Sequence, residues 1–316
     1  MTLKRIVGSL LLLSVAGATA VLTIGWQLAR PVPARIGAPP ATLSAEPVTF
    51  PSESGATVHG WFSTLEAPRG AVLLLPSIRS NRLAMVKRAS FLREAGYATL
   101  LIDFQATGET PGHMITFGWL ERFDVLAAER FLRHRLPGVP VAVIGSSLGG
   151  AAALLATPPL NIEALVLEAV YPAIDVAVDN RLRMRVGPLA TLLTPLLLMQ
   201  LQPRIGATTQ QLRPIDHMAQ IRCPVLLIGG THDRHTTEAD TRRLYEAAPD
   251  SKQLWLIPGV GHADFHEVTG DEYRRRVLAF LTIAMNRPVV AQRLLIPNGQ
   301  WRNLTNGTGF IVEKPK

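Results

Sequence analysis

Gly145-Ser146-Ser147-Leu148-Gly149-Gly150 is the stretch from which the rest of this chain can be read. The apolar run Val141-Ala142-Val143-Ile144 leads into it, and an alanine-rich run from Ala151 to Ala156 leads out. That order predicts a buried strand, an abrupt turn and a helix of small residues. G-x-S-x-G in this setting is a strained strand-to-helix turn that lifts one serine hydroxyl above the sheet, a nucleophile elbow. Side chains at Gly145 and Gly149 would collide across so tight a turn. The pattern centres Ser147 and leaves Ser146 as filler. By chance the motif arises about once in ten chains of this length. A glycine-rich turn with Ser147 as a helix N-cap would show the same letters. An acid and a histidine further along have to decide between the two.

Composition narrows the classes. A chain of 316 residues predicts one large α/β domain with appendages. A hydrophobic content of 47% and a mean hydropathy of +0.20 point to a segment in contact with membrane. The formal charge of +8 comes from scattered arginines, without a basic stripe interleaved with aromatics, so no nucleic-acid partner is expected. Cys223 is the single cysteine, which rules out an intramolecular disulfide and any zinc site built from several cysteines.

The chain opens with a nearly unbroken apolar run from Ile6 through Leu28, preceded by Lys4 and Arg5. Its length predicts one membrane-spanning helix within residues 1–30. Ala18-Thr19-Ala20 resembles a signal-peptidase site, so a cleaved signal is the competing reading. The apolar run continues past it to Trp26, which favours an uncleaved anchor. Lys4 and Arg5 place the N-terminus in the cytoplasm and the following domain on the periplasmic or extracellular side, although Arg30 and Arg35 flank the other end. Residues 31–47 hold five prolines and read as a stiff linker. Two short antiparallel strands follow, Val48 to Phe50 and Val58 to Phe62, and then apolar strands alternate with amphipathic helices as far as Met285. Such alternation predicts a parallel sheet covered on both faces, with chemistry at the carboxyl ends of its strands.

Two of those strand ends supply partners for Ser147. Val225 to Gly230 runs into Thr231-His232-Asp233, and Leu254 to Ile257 runs into Pro258-Gly259-Val260-Gly261-His262. A serine hydroxyl attacks a carbonyl only if a base takes its proton. His262 fits the base, and Asp233 fits the acid that fixes the imidazole tautomer. The oxyanion needs two backbone donors, which the reading places at Leu148 and, after the strand Ala71 to Leu75, at Ile78. Asp233 could instead cap the helix near Thr237, and His262 could be a plain loop residue. Glu168, at the strand end after the elbow, is a rival acid. His232, His235 and His266 are nearby, but with the local carboxylates they complete no recognised metal pattern, so no metal is expected.

Together these residues resemble the α/β-hydrolase superfamily, in its esterase, monoacylglycerol-lipase-like and serine-aminopeptidase-like branches. The resemblance covers residues 48–286 and implies an α/β fold: a mostly parallel eight-stranded sheet with helices on both faces. The positions matching the family's triad are Ser147, Asp233 and His262, and no cofactor is implied. Leu73-Leu74-Leu75-Pro76-Ser77 stands where members have a strand ending in His-Gly. Asp103 to Thr110 is a degenerate form of the family's D-x-x-G-x-G-x-S segment. A serine nucleophile argues against the epoxide-hydrolase and dehalogenase branches, which use aspartate. Residues 172–215 fit the position of the family's lid, and Pro188 to Met199 within them is very apolar. Arg181, Arg183 and Arg185 precede that stretch, facing solvent or an anionic ligand. Residues 287–316, with sequons at Asn303 and Asn306, form a C-terminal extension outside the family core.

The expectation is a membrane-anchored serine hydrolase that cleaves a small-molecule carboxylic ester with a lipophilic acyl group through an acyl-serine. An amidase or peptidase with the same triad is the alternative, since the elbow is blind to the leaving group. A membrane-tethered, non-catalytic binding module is a third reading. The oligomeric state is left open.

Overall fold

In the computed structural model, residues 3–286 are described, together with the backbone of 292–295 and 301–304. The chain starts with helix α1 (Leu3–Ala29) and the two-residue β1 (Val32–Pro33). Next come β2 (Ala45–Pro51), β3 (Thr57–Ser63), β4 (Ala71–Leu75), α2 (Val86–Glu94), β5 (Ala98–Ile102) and β6 (Thr107–Gly108). Then follow α3 (Glu121–Arg135), β7 (Val141–Ser146), α4 (Leu148–Leu154) and β8 (Ala164–Glu168). An insertion carries α5 (Ile174–Val186), α6 (Ala190–Leu198) and α7 (Leu201–Ile205). The domain closes with β9 (Val225–Gly230), α8 (Glu238–Ala247), β10 (Lys252–Ile257), α9 (Phe265–Thr269) and α10 (Asp271–Met285).

Eight of these strands form one sheet in the order β10-β9-β8-β7-β4-β5-β3-β2. The pairings from β5 through β4, β7, β8 and β9 to β10 are parallel, and those of β2 with β3 and β3 with β5 are antiparallel. Central strands in such a sheet are covered on both faces and need continuous apolar runs. Every residue of β4, β5, β8 and β9 is accordingly buried, whereas the outermost β10 alternates. Period-two alternation then sorts each run between two cores. Leu73, Leu75, Val143, Leu165 and Leu227 pack on one face with Leu132 of α3 and Leu148 of α4. Val72, Leu74, Ile144, Val166 and Ile228 pack on the other with Leu92 of α2 and Phe280 of α10.

Register puts Ser146, Glu168, Ile228 and Trp255 in one row across β7, β8, β9 and β10. The loops beyond that row therefore leave the same edge of the sheet, where the candidate residues lie.

Two expectations change. Residues 31–47 do not lead away as a linker but run along the domain. Val32 and Pro33 pair with Thr107 and Gly108, Leu43 is fully buried, and Glu109 accepts from the N–H groups of Ile36 and Gly37 at 3.0 Å each. Those two bonds and Arg82 hold the Glu109 carboxyl well down, at about 2. The membrane-spanning helix is likewise not supported: among the described residues no helix is long and apolar enough to cross a membrane. The segment is helical as α1, although the side chains of 3–7, 10, 13 and 14 fall outside the described set. Its C-terminal third is docked on the domain. Gln200 Nε2 donates to Val21 O at 3.0 Å, Arg204 Nη2 to Leu22 O at 2.8 Å, and Ile115 N to Ala29 O at 2.7 Å. The C-terminal extension is described only as the antiparallel pair β11 (Gln292–Leu295) and β12 (Trp301–Leu304). The sequon at Asn306 lies outside the described residues.

Candidate active site

β7 ends at Ser146 and α4 starts at Leu148, so one residue makes the whole turn. Ser147 holds φ 48° and ψ −107°, a left-handed backbone that costs a serine about 1–3 kcal/mol and persists only where its surroundings enforce it. They do so closely. A Cβ on Gly145 would lie 2.5 Å from Gly150 N, and one on Gly149 would lie 2.5 Å from Leu75 O of β4. Ser147 N donates to Glu168 O at 2.7 Å, pinning the turn to β8. Ser147 is only 2% exposed, yet it lines a cleft.

The loops after β9 and β10 are tied together by Thr231 N to Ile257 O at 3.1 Å and His232 N to Val260 O at 2.9 Å. That tie brings Asp233 and His262 into contact, with His262 Nδ1 2.7 Å from Asp233 Oδ2. The other carboxylate oxygen, Oδ1, accepts from His235 N at 2.7 Å and Thr236 N at 2.9 Å. Asp233 thus closes its own turn and orients the imidazole at once. The helix cap it might have been is Thr237, in a capping box with Asp240. Among the described residues no hydrogen bond joins Ser147 Oγ to His262 Nε2.

The rival acid is occupied elsewhere. Arg88 Nη2 donates to Glu168 Oε2 at 2.8 Å, Arg88 Nε donates to Oε1 at 3.2 Å, and the Tyr273 hydroxyl donates to the same Oε1. His266 stacks on Phe91 with ring centroids 5.4 Å apart. The His235 ring lies 4.9 Å from that of His262, and burial, with His262 beside it, pushes its pKa below the usual histidine value. Among the described residues no three His, Cys, Asp or Glu side chains gather as a metal site.

Leu148 and Ile78 both line the cleft, and among the described residues neither backbone N–H has an acceptor. Leu148 is the first residue of α4, so its N–H has no intrahelical partner. Ile78 sits in the turn after β4, where Ser80 N donates to Ser77 O at 3.2 Å and leaves Ile78 out.

The cleft is partly open to solvent. Its walls include Phe117, Tyr171, Leu197 of α6 and Leu201 of α7. Gly25, Leu28 and Ala29 of α1 also line it, which the sequence reading missed. The one trace of this in the letters is Gly25, a small residue inside an apolar run. A Cβ there would strike the Gln200 side chain.

Comparison with known proteins follows the same geometry. The chain is 28% identical over 267 residues to the uncharacterized protein YfhR of Salmonella typhi, covering 78% of this chain and 85% of that one. The uncharacterized protein YqkD of Bacillus subtilis is 23% identical over 237 residues, covering 73% and 77%. Among solved structures, the Pyrococcus furiosus esterase Pf2001 superposes with a TM-score of 0.66 at 22% identity, over 81% of this chain and 100% of that one. A Xanthomonas campestris serine hydrolase without lid superposes at 0.55 and 15% identity, over 80% and 100%. At such identities the superpositions speak for the fold. Residues 56–277, which hold most of the sheet, the elbow and both partner loops, match the alpha/beta hydrolase family profile, and the chain belongs to that family.

Proposed function

We propose that the protein is a serine hydrolase that cleaves carboxylic esters of lipophilic acyl groups, with Ser147 as nucleophile, His262 as base and Asp233 as its orienting acid. The observation that carries this reading is the 2.7 Å contact of His262 Nδ1 with Asp233 Oδ2, on the sheet edge that bears the strained serine. With Nδ1–H held by the carboxylate, Nε2 is left free to accept the Ser147 proton. Ser147 Oγ bonds to the ester carbon, and the carbonyl electron pair moves onto oxygen, facing the N–H groups of Leu148 and Ile78. His262 then protonates the departing alkoxide as its C–O bond breaks. Water, deprotonated by the same imidazole, releases the acid from the acyl-serine. The apolar walls of the cleft favour a lipophilic acyl group, and the insertion holding α5, α6 and α7 acts as its lid.

The N-terminal helix seats the domain against a membrane surface. Support comes from the apolar run of Ile6 to Leu28 behind Lys4 and Arg5, and from the faces left exposed. Trp26 of α1 is 53% exposed, Leu192 of α6 70% and Met199 74%, an apolar surface of the kind that seats against lipid.

A fluorophosphonate probe, with a panel of p-nitrophenyl esters and aminoacyl anilides, tests the chemistry. Wild type and Ser146→Ala should be labelled and hydrolyse esters, and Ser147→Ala should do neither. Labelling that survives Ser147→Ala removes the nucleophile; turnover confined to the anilides moves the assignment to an amidase.

A further inference from the structure

Arg181 of α5 is out of keeping with the cleft it lines. The walls are almost wholly apolar, and no acidic residue is among them. Arg181 is half-buried, and burial pushes its pKa below the usual arginine value, yet a guanidinium stays charged near neutrality. Its Nη1 donates to Ala177 O at 2.9 Å, one turn back on its own helix. Among the described residues no carboxylate lies within ion-pair distance, and its Nε and Nη2 meet no acceptor.

The neighbouring acids are already committed. Asp233 spends Oδ2 on His262 and Oδ1 on two backbone N–H groups. Asp179 pairs with Arg183 at 2.5 Å. Arg204 of α7 lines the same cleft and meets only neutral acceptors, Gln200 Oε1 at 3.0 Å and the Leu22 carbonyl at 2.8 Å. Asp233 attracts Arg181 through space but makes no direct pair with it. A partly desolvated guanidinium with no bonded oxyanion gains from a ligand that supplies one.

We infer that Arg181 is the anion subsite of this cleft, and that the acyl group carries a terminal oxyanion, a carboxylate or a phosphate, at the end remote from the ester. The inference rests on the esterase reading above. A guanidinium presents paired donors that match either oxyanion bidentately, and such charge-assisted bonds gain strength in apolar surroundings. The ester end meets Ser147, the alkyl chain lies along Leu197 and Leu201, and the charge meets Arg181.

Three esters test it on the full chain: p-nitrophenyl octanoate, mono-p-nitrophenyl suberate, and the ω-phosphonooxy analogue of the octanoate. The expected result is a kcat/KM at least about tenfold higher for one charged ester than for the octanoate, the preferred charge showing whether the source is a carboxylate or a phosphate. Arg181→Gln should erase that ratio, and Arg181→Lys should keep part of it, since an ammonium retains charge without the fork. Arg183→Gln, on an exposed arginine paired with Asp179, should leave the ratio whole. A wild type that favours the neutral ester, or a ratio that survives Arg181→Gln, overturns the subsite and leaves the esterase reading standing. Absence of turnover on all three esters removes the esterase reading instead. Calorimetric binding of monomethyl suberate against methyl octanoate then decides the subsite: tighter binding of the anion that is lost in Arg181→Gln upholds it, and equal binding overturns it.

Discussion

Two acids at strand ends could serve His262, and exchanging each for its amide separates their work. In Asp233→Asn, the side-chain oxygen can keep the bonds from His235 N and Thr236 N, at 2.7 Å and 2.9 Å. The new amide nitrogen then takes the place of Oδ2 and faces His262 Nδ1, now 2.7 Å from a donor. Nδ1 must turn acceptor, so the ring proton moves to Nε2, where it blocks transfer from Ser147. Wrong-tautomer variants of this kind lose about four decades in kcat, roughly 5 kcal/mol of transition-state stabilisation at 1.36 kcal/mol per decade. The fold should lose little. In Glu168→Gln the balance reverses. The Glu168 carboxylate is 1% exposed and faces Arg88, whose guanidinium is equally buried. Breaking a buried pair from one side costs about 3–5 kcal/mol of stability. Ester turnover per folded molecule should stay near wild type, because Ser147 is held by the Glu168 backbone carbonyl, which the exchange spares. Steady-state p-nitrophenyl ester kinetics, corrected by the folded fraction from urea curves, read both. An Asp233→Asn enzyme within tenfold of wild type, or a Glu168→Gln enzyme that folds but loses several decades of turnover, would refute the reasoning.

Gly149→Ala places a Cβ 2.5 Å from Leu75 O and 2.7 Å from Leu75 Cβ, so α4 must shift by about an ångström from β4. Leu148 N moves with it, and kcat should drop roughly a hundredfold with KM little changed; an active alanine variant would mean the elbow is slack. Asp124 is buried under Ser52, Ser54 and Gln105, and burial pushes its pKa up to about 7. A carboxyl raised in the fold contributes stability below its ordinary value near 4 and loses it as pH rises through 7. About three units at 1.36 kcal/mol each makes roughly 4 kcal/mol, so Asp124→Asn should flatten the pH–stability curve over that window. Parallel curves for the two proteins would remove Asp124 from that role.

Much of the site was written locally. A turn forced between a buried strand and a small-residue helix needs glycines at fixed offsets, so Gly145 and Gly149 named Ser147 over Ser146. Continuous apolar runs such as Ala71 to Leu75 are what a strand buried on both faces requires, so the parallel sheet was legible as well. Asp233 and Glu168 could not be told apart in the same way. Both follow apolar strands, and only the packing of Arg88 and Tyr273 onto Glu168 takes it out of His262's reach.

The sequence by itself determined the fold class and the tight turn at Ser147, because short-range sterics and period-two burial are properties of neighbouring letters. Tertiary structure alone decided what surrounds them. The proline-rich segment lies along the domain because Glu109, over 70 residues away, offers its carboxylate to Ile36 and Gly37. The end of α1 walls the cleft because Gln200 and Arg204 reach its carbonyls across some 180 residues of chain. Arg181 reads among the letters as one of three alternating arginines. Only in three dimensions does it become a guanidinium in an apolar cleft that donates to a helix carbonyl and makes no direct ion pair.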